Sequence, residues 1–470
     1  MKEKFDVIVV GAGTAGCTLA KKLTEAGLST ALVDSKPKGE IGYPWEVTVE
    51  HDVFGRITMK APAANMLLET PTLYRFYAAD RENHVQIGGG TGKGFPIRHK
   101  VFNQYLLEQT LKAGVVFFPQ HKVKGFLFGS DDNPEGVTGT KTGPFHRNFS
   151  LYAPLVADAS GITSVLRKDT PERFGIKRKV RIQDYAFGWN EVRKPDTSGW
   201  EQIQDEFDIK PGMSYTFLGK QHAYETIHMR EDGTVSFIFG AALQENPKIH
   251  PHYIGRYFEE RPYLGKRVHA GGQPIPIRRA LDTMVGDGFL CLGDAACQVI
   301  PTMGSGVASS IHAADIAART ITGAFNDGNL RVKRLWEYNV KYQRKRGAVL
   351  ASYDIIRRLL QSLSEENINE VFKVGLLKDE NFLNTYTSNT IRYNIWEILE
   401  NMRKFFGHIQ MIPLGIHFLQ ALKDSQRAME LYKNYPEKTN NEEFTKWVKE
   451  TDNLFSKYRT FRKGGREIYF

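Results

Sequence analysis

Cysteine is scarce in this chain of 470 residues: Cys17, Cys291 and Cys297 are the whole complement. Their spacing offers neither a metal-ligand set nor a disulfide framework, so an intracellular, reducing compartment is the default. Long apolar runs are missing too. None approaches the roughly 18–20 residues that a membrane span needs. No signal peptide is expected, because the N-terminus passes straight into an apolar strand-like run. No stripe of basic residues interleaved with aromatics argues for nucleic acid. The formal net charge is nevertheless +10, which suits anionic cofactors, acidic substrates or a negatively charged membrane surface. Internal repeats and low-complexity segments are absent. Gly88 to Gly94 looks like a phosphate loop, but Ile87 and Gly94 stand where Gly and Ser or Thr are required, so a turn is expected there.

What is present begins at the first residues. Phe5 to Val10 (FDVIVV) is β-branched and apolar, as in a buried parallel strand. Gly11-Ala12-Gly13-Thr14-Ala15-Gly16 follows, then helical spacing over Cys17 to Ala26, then a second strand from Leu28 to Val33 ending at Asp34 and Ser35. Gly11 permits a tight turn, Gly13 lets a pyrophosphate approach the backbone, and Gly16 lets the helix pack against the strand. A helix N-terminus offers free N–H groups to phosphates. Asp34 is spaced to accept from a ribose hydroxyl. This frame predicts a dinucleotide site, without deciding between FAD and NAD. A second such motif does not stand out, so no separate nicotinamide domain is expected.

The remaining chain reads as an α/β protein. Phe95 to Gly114 begins with a short extended piece and continues as an amphipathic helix with Phe102, Tyr105, Leu106 and Leu111 on one side. Strands are expected over 115–118, 122–128, 151–157 and 288–292. Alternating apolar patterns between 180 and 270, with Asp232-Gly233 as a turn, predict a hairpin-rich antiparallel sheet. A small-residue helix follows Gly306. From about 330 the chain is helical, with amphipathic segments that include 395–402. The expected domains are 1–178 with 271–328 as a discontinuous Rossmann-like cofactor domain, 179–270 as an antiparallel-sheet substrate domain, and 329–470 as a C-terminal helical region.

Three motifs in order carry a resemblance: GAGTAG at 11–16, DASGITSVLR from Asp158 to Arg167, and GDAACQVIPTMGSGVASS from Gly293 to Ser310. The chain resembles FAD-dependent oxidoreductases of the p-hydroxybenzoate hydroxylase type, and among them the geranylgeranyl reductase family. The resemblance implies FAD. It implies that Gly11, Gly13, Thr14, Ala15 and Gly16 hold the pyrophosphate, with Asp34 and Ser35 at the adenosine ribose and Val123 as a backbone contact to adenine. Asp158, Gly161 and Asp294 match the family's later acid and glycine positions. Gly304, Gly306 and Val307 match the loop and helix start that face the flavin. Arg98 resembles an arginine that reaches the cofactor, although the segment RHKVFNQYL has Asn103 where the family has Asp. Trp45 follows a stretch, Glu40 to Pro44, that resembles the family's flavin-side loop but lacks its cysteine. Cys297 reads as a small packing residue.

The implied activity is reduction of isoprenoid carbon–carbon double bonds. Candidate walls for an apolar tunnel are Tyr215, Phe217, Phe237 and Phe239, or these are ordinary sheet core. No proton donor is assigned; Glu46, His51 and Tyr43 lie near the flavin-side loop. The alternatives are a flavin monooxygenase or halogenase on the same frame, and an electron carrier or flavin-binding regulator. Expected partners are an apolar small-molecule or lipid substrate and an external electron donor, either NAD(P)H or a redox protein. A cytoplasmic location is expected, and peripheral membrane contact stays open: residues 409–422 are apolar enough for it, or form a packed core helix.

Overall fold

The structure is a computed structural model and describes residues 3–59, 61–88, 94–142, 147–177, 179–218, 224–243, 249–373, 412–439, 442–458 and 467–468. The Gly-rich turn at 89–93, the expected helical segment at 395–402 and residues 409–411 lie outside them.

The first part of the chain runs β1 (Val7–Val10), α1 (Thr14–Glu25), β2 (Thr30–Val33), β3 (Glu46–Glu50), β4 (Leu73–Tyr77), β5 (His84–Gly88) and β6 (Gly94–Arg98). It continues through α2 (His99–Lys112), β7 (Val116–Phe118), β8 (His121–Phe128), β9 (Pro134–Lys141), β10 (Arg147–Tyr152) and β11 (Leu155–Asp158). The middle runs β12 (Val180–Arg181), β13 (Tyr185–Lys194), α3 (Thr197–Phe207), β14 (Met213–Leu218), β15 (Tyr224–Met229), β16 (Val235–Ala242), α4 (Ile249–Glu259) and β17 (Lys266–Pro276). The last part holds β18 (Val285–Gly286), β19 (Phe289–Cys291), α5 (Val307–Asn326), α6 (Val332–Tyr342), α7 (Ala348–Ser362), α8 (Glu365–Lys373), α9 (Ile412–Lys433), α10 (Glu442–Ser456) and β20 (Glu467–Ile468).

The six-stranded sheet has the order β18-β19-β11-β1-β2-β7. Its inner pairs are parallel, and all four residues of β1, β2 and β11 are buried. Such strands are apolar without alternation because both faces are covered. The strand expected over 151–157 is divided. Tyr152 ends β10, which is antiparallel to β9, while Leu155 opens β11 beside β1. Pro154 lies between them and has no N–H for either ladder.

The second sheet has seven strands in the order β17-β13-β16-β15-β14-β4-β5. The hairpin at Asp232-Gly233 forms as expected, with Gly233 at φ +75°. β4 and β5 join this sheet from the first part of the chain, β4 running parallel to β14. One sheet face packs on α3 and α4: Phe237 meets Phe258 at 5.4 Å, Phe239 meets Tyr257 at 5.0 Å, and Phe217 meets Phe207 at 6.0 Å. The candidate tunnel walls Tyr215, Phe217, Phe237 and Phe239 all alternate onto that helix-covered face. They are sheet core, because helices rather than open space lie opposite them.

The C-terminal helices are fastened by charge as well as by apolar contact. Arg357 and Arg358 of α7 pair with Asp184, just before β13, and with Asp354. Arg279 binds Asp282 and the hydroxyl of Tyr432 on α9. The part of the 409–422 stretch that is described begins α9, which buries Gly415 and Ala421 and packs against α7. Among the described residues no helix is long and apolar enough to cross a membrane.

Candidate active site

The glycine turn at the end of β1 is built by exclusion. Gly11 has φ +103°, and a Cβ there would collide with the carbonyl of Ala159. A Cβ at Gly16 would collide with the carbonyl of Gly11, so α1 could not pack so close to β1. At Gly13 nothing lies within 4 Å of a Cβ position, which leaves open space in front of the helix. α1 has no side-chain cap and no acidic residue in its first turn. Its first amides are therefore available to an anion.

Asn103 clamps the turn from α2. Its Oδ1 accepts from the Thr14 hydroxyl at 2.9 Å, and its amide donates to the Ala12 carbonyl at 3.0 Å. Asp at this position could accept but could not donate, which accounts for Asn here. His99 sits beside it. Its Nδ1 accepts from the Tyr43 N–H at 3.1 Å, which places the proton of the neutral ring on Nε2, 3.5 Å from the Thr14 hydroxyl. Burial, aided by Lys36, lowers its pKa to about 4 and keeps it neutral. Neither residue was expected from the sequence to serve the turn; the signal was a polar side chain, Asn103, on the apolar side of a helix.

Asp34 follows β2 with its carboxylate turned to the same place. Oδ2 accepts from the Ala12 N–H at 2.7 Å, and Oδ1 from the Lys36 N–H at 2.8 Å. Ser35 is exposed next to it. The backbone of Asp34 joins β8 through His121, two residues before the buried Val123. Asp34, Ser35 and Val123 thus share one end of a groove.

The other two motifs meet at the opposite end. Asp294 follows β19, and burial alone pushes its carboxyl up to about 6; no charge or hydrogen bond from a described residue offsets that. Its Oδ1 lies 3.0 Å from the Cβ position of Gly306, just before α5. α5 also begins without a side-chain cap or an acidic first turn. Gly293 and Ala15 are in van der Waals contact range, with 3.2 Å between the Ala15 Cβ and a Cβ placed at Gly293, so the starts of α1 and α5 lie close together. Val307 is buried and opens α5; Gly304 has φ +68° and lies near Ile275.

Asp158 is differently used. It is fully buried, and it accepts from the Ser160 N–H and hydroxyl and from the Leu166 N–H. Burial still raises its carboxyl above the ordinary range. The carboxylate shapes the turn that carries Gly161, whose Cβ position lies 3.9 Å from the Tyr43 hydroxyl. Arg98 donates to the carbonyls of Asn65 and Leu67 and so braces the 65–67 segment. Cys297 is buried beside Arg167, and burial raises its thiol, as fits a packing residue.

Between the two ends lies the flavin-side loop. Tyr43 stacks on Trp45 at 4.1 Å, and Lys36 caps the Tyr43 ring. Burial, with the charge of Asp294, pushes the Tyr43 phenol up to about 12. β17 supports this loop with one face. A Cβ at Gly271 would stand 2.9 Å from Pro44 and 3.4 Å from Trp45, Gln273 bonds the Tyr43 hydroxyl, and Ile275 approaches Gly304. Further across the same sheet face Ile275 fills the space over Gly188 and the Tyr224 ring the space over Gly240, and Thr216, Leu218, Thr226 and Ile238 are half-exposed.

The residues fit an extended dinucleotide: two open helix N-termini near one another, space at Gly13, and at Asp294 a half-buried carboxylate with no partner among the described residues. The FAD binding domain family matches residues 6–42. The digeranylgeranylglycerophospholipid reductase of Sulfolobus acidocaldarius is 27% identical, over 97% of this chain and 99% of that protein. Among solved structures, a geranylgeranyl bacteriochlorophyll reductase-like protein of Thermoplasma acidophilum superposes with a TM-score of 0.69 at 15% identity, covering 87% of this chain and 98% of its own. A flavin-dependent brominase superposes with a TM-score of 0.61 at 14% identity, covering 87% of this chain and all of its own, which shows a shared fold. Fold and site together define a FAD-dependent oxidoreductase. Within that class the chain is similar to reductases of geranylgeranyl lipids.

Proposed function

We propose that the chain reduces carbon–carbon double bonds of an isoprenoid lipid at the expense of bound, reduced FAD. The observation that carries this reading is the end-to-end likeness to a reductase named for digeranylgeranylglycerophospholipid. Reduced FAD supplies a hydride. The chain supplies the rest. Gly11, Gly13, Thr14, Ala15 and Gly16 hold the pyrophosphate, Asp34 and Ser35 the adenosine ribose, and the Val123 backbone the adenine. Asp294 accepts from ribityl hydroxyls, while Gly161 leaves room for the chain of the cofactor beside Tyr43. The start of α5, with Gly304, Gly306 and Val307, offers N–H groups to negative charge on the flavin. Trp45 and Tyr43 flank the ring system. The role of Asp158 is to shape its turn.

The isoprenoid lies on the sheet face opposite α3 and α4. Ile238, Leu218 and the methyls of Thr216 and Thr226 give that face an apolar lining, with the Tyr224 ring seated over Gly240 and the Ile275 side chain over Gly188. Excluding water there protects the reduced cofactor and strengthens the electrostatics of the site. The electron donor is external, NAD(P)H or a redox protein. The lipid substrate calls for peripheral contact at the cytoplasmic membrane face, and Ile416 on α9, 59% exposed, is one apolar residue available for it.

The test is product mass. FAD-loaded protein supplied with dithionite and a geranylgeranyl lipid under nitrogen should give products heavier by two mass units per double bond. A hydroxylated or halogenated product, formed on admitting oxygen and halide, would replace this reading with the monooxygenase or halogenase one.

A further inference from the structure

Resting on the reductase reading, one alkene carbon receives hydride and the other needs a proton from an ionisable group within reach. Two groups near the flavin-side loop are engaged elsewhere. The Tyr43 hydroxyl bonds Gln273. His51 is exposed and stacks on Phe95 at 4.1 Å. Glu46 is placed differently. It opens β3 with a side chain only 9% exposed, turned into the seven-stranded sheet. Its N–H donates to Asn190 Oδ1 at 3.2 Å. Its Oε2 accepts from Arg230 and, at 2.8 Å, from the Ser236 hydroxyl. Its Oε1 is buried and has no hydrogen-bond partner among the described residues.

The His269 Nε2 lies 3.8 Å from that free oxygen. His269 belongs to the β17 row His269, Gly271, Gln273 and Ile275, which alternation puts on one face. The last three meet, in turn, Pro44 and Trp45, Tyr43, and Gly304. His269 extends the row past the flavin-side loop, and its side chain is 31% exposed. An imidazole with one nitrogen toward a fixed carboxylate and an edge open to water is the arrangement of a proton relay.

We propose that His269 delivers the proton to the second alkene carbon, and that Glu46, clamped by Arg230 and Ser236, positions it. In this step the π pair of the alkene takes the proton as the imidazolium N–H bond breaks. The other carbon takes the hydride that reduced FAD supplies, so the alkene is reduced and the cofactor oxidised. Neutral His269 regains a proton from water, and Glu46 stays ionised. The charged groups facing the ring are Glu46 on β3, Arg230 after β15 and Arg98 at the end of β6. Burial lowers the pKa of the ring, Glu46 raises it, and both arginines lower it; the net direction is down. The acid form is therefore populated on the acidic side, and the rate falls as pH rises.

The experiment follows single turnovers of dithionite-reduced, FAD-loaded protein with geranylgeranyl diphosphate. His269→Gln is expected to slow flavin reoxidation about 100-fold and to remove the fall in rate with rising pH. Reoxidation by ferricyanide, which puts no proton on carbon, should not change. In the FAD-free protein, Glu46→Gln should lower the His269 pKa read by NMR titration. H269Q reoxidised by the lipid at the wild-type rate overturns the assignment and leaves the reductase reading standing. Equal slowing with ferricyanide, or an unmoved His269 pKa in E46Q, also overturns it. A wild type inert toward the lipid overturns both.

Discussion

At the scale of single residues, two side chains decide whether the cofactor groove forms. Asn103 ties α2 to the glycine turn by donating to Ala12 and accepting from Thr14, at zero exposure. Asn103→Asp removes the donor and sets a carboxylate against a carbonyl. The expected cost is about 1–3 kcal/mol of stability, read by urea unfolding, together with weaker FAD binding by fluorescence titration. Asp294 makes a pH prediction. Without FAD, burial holds its pKa at about 6. Hydroxyl donors from FAD favour the ionised form and lower that value. Binding therefore expels a proton below pH 6, and FAD affinity should fall as pH drops from 6 toward the lower, bound-state value. Asp294→Asn should flatten that limb. Asp294 was legible in the sequence because it sits inside a contiguous motif. The clasp of Asn103 was not, because its partners lie 89 and 91 positions away and only folding brings them together.

Among elements, α1 shows how much a contiguous pattern reveals. The strand, turn, helix and second strand of residues 7–33 follow the glycine spacing closely, and the helix begins on the turn itself, at Thr14. Gly16→Ala should push α1 off β1, abolish FAD binding and lower Tm. Wild-type affinity in G16A would mean that the packing tolerates a methyl group. The seven-stranded sheet was legible as hairpins, but its facing was not. Alternation shows that Phe237 and Phe239 share a face without saying which face meets helices. The location of α7 was equally hidden, since Arg357 and Asp184 are 173 positions apart. Asp184 is held well below the usual carboxylate range by Arg358, Arg357 and Arg278, against the penalty of burial. A depressed folded pKa stabilises above the unfolded value of about 3.9, and the contribution is lost as pH falls through the folded value. Asp184→Asn strands buried guanidinium groups and should cost about 3–5 kcal/mol, measured by denaturant unfolding at neutral pH.

For the molecule as a whole, the two sheets meet along the flavin-side loop. The six-stranded sheet presents the glycine turn and Asp294, and the seven-stranded sheet lends β17 to the loop and a half-exposed face beyond it. β3 crosses between them: Glu46 reaches the second sheet, the Thr48 carbonyl approaches Ser305 beside α5, and Glu50 pairs with Arg346. An enzyme that must bring an apolar chain to a buried cofactor needs such a junction. The central claim is that electrons stored on this cofactor pass to a prenyl double bond. The most direct measurement is one anaerobic turnover of the dithionite-reduced protein with a geranylgeranyl lipid, following flavin absorbance and product mass in the same sample. The account predicts reoxidation matched one-to-one by a product two mass units heavier. Flavin that stays reduced in the presence of a panel of prenyl lipids would contradict it.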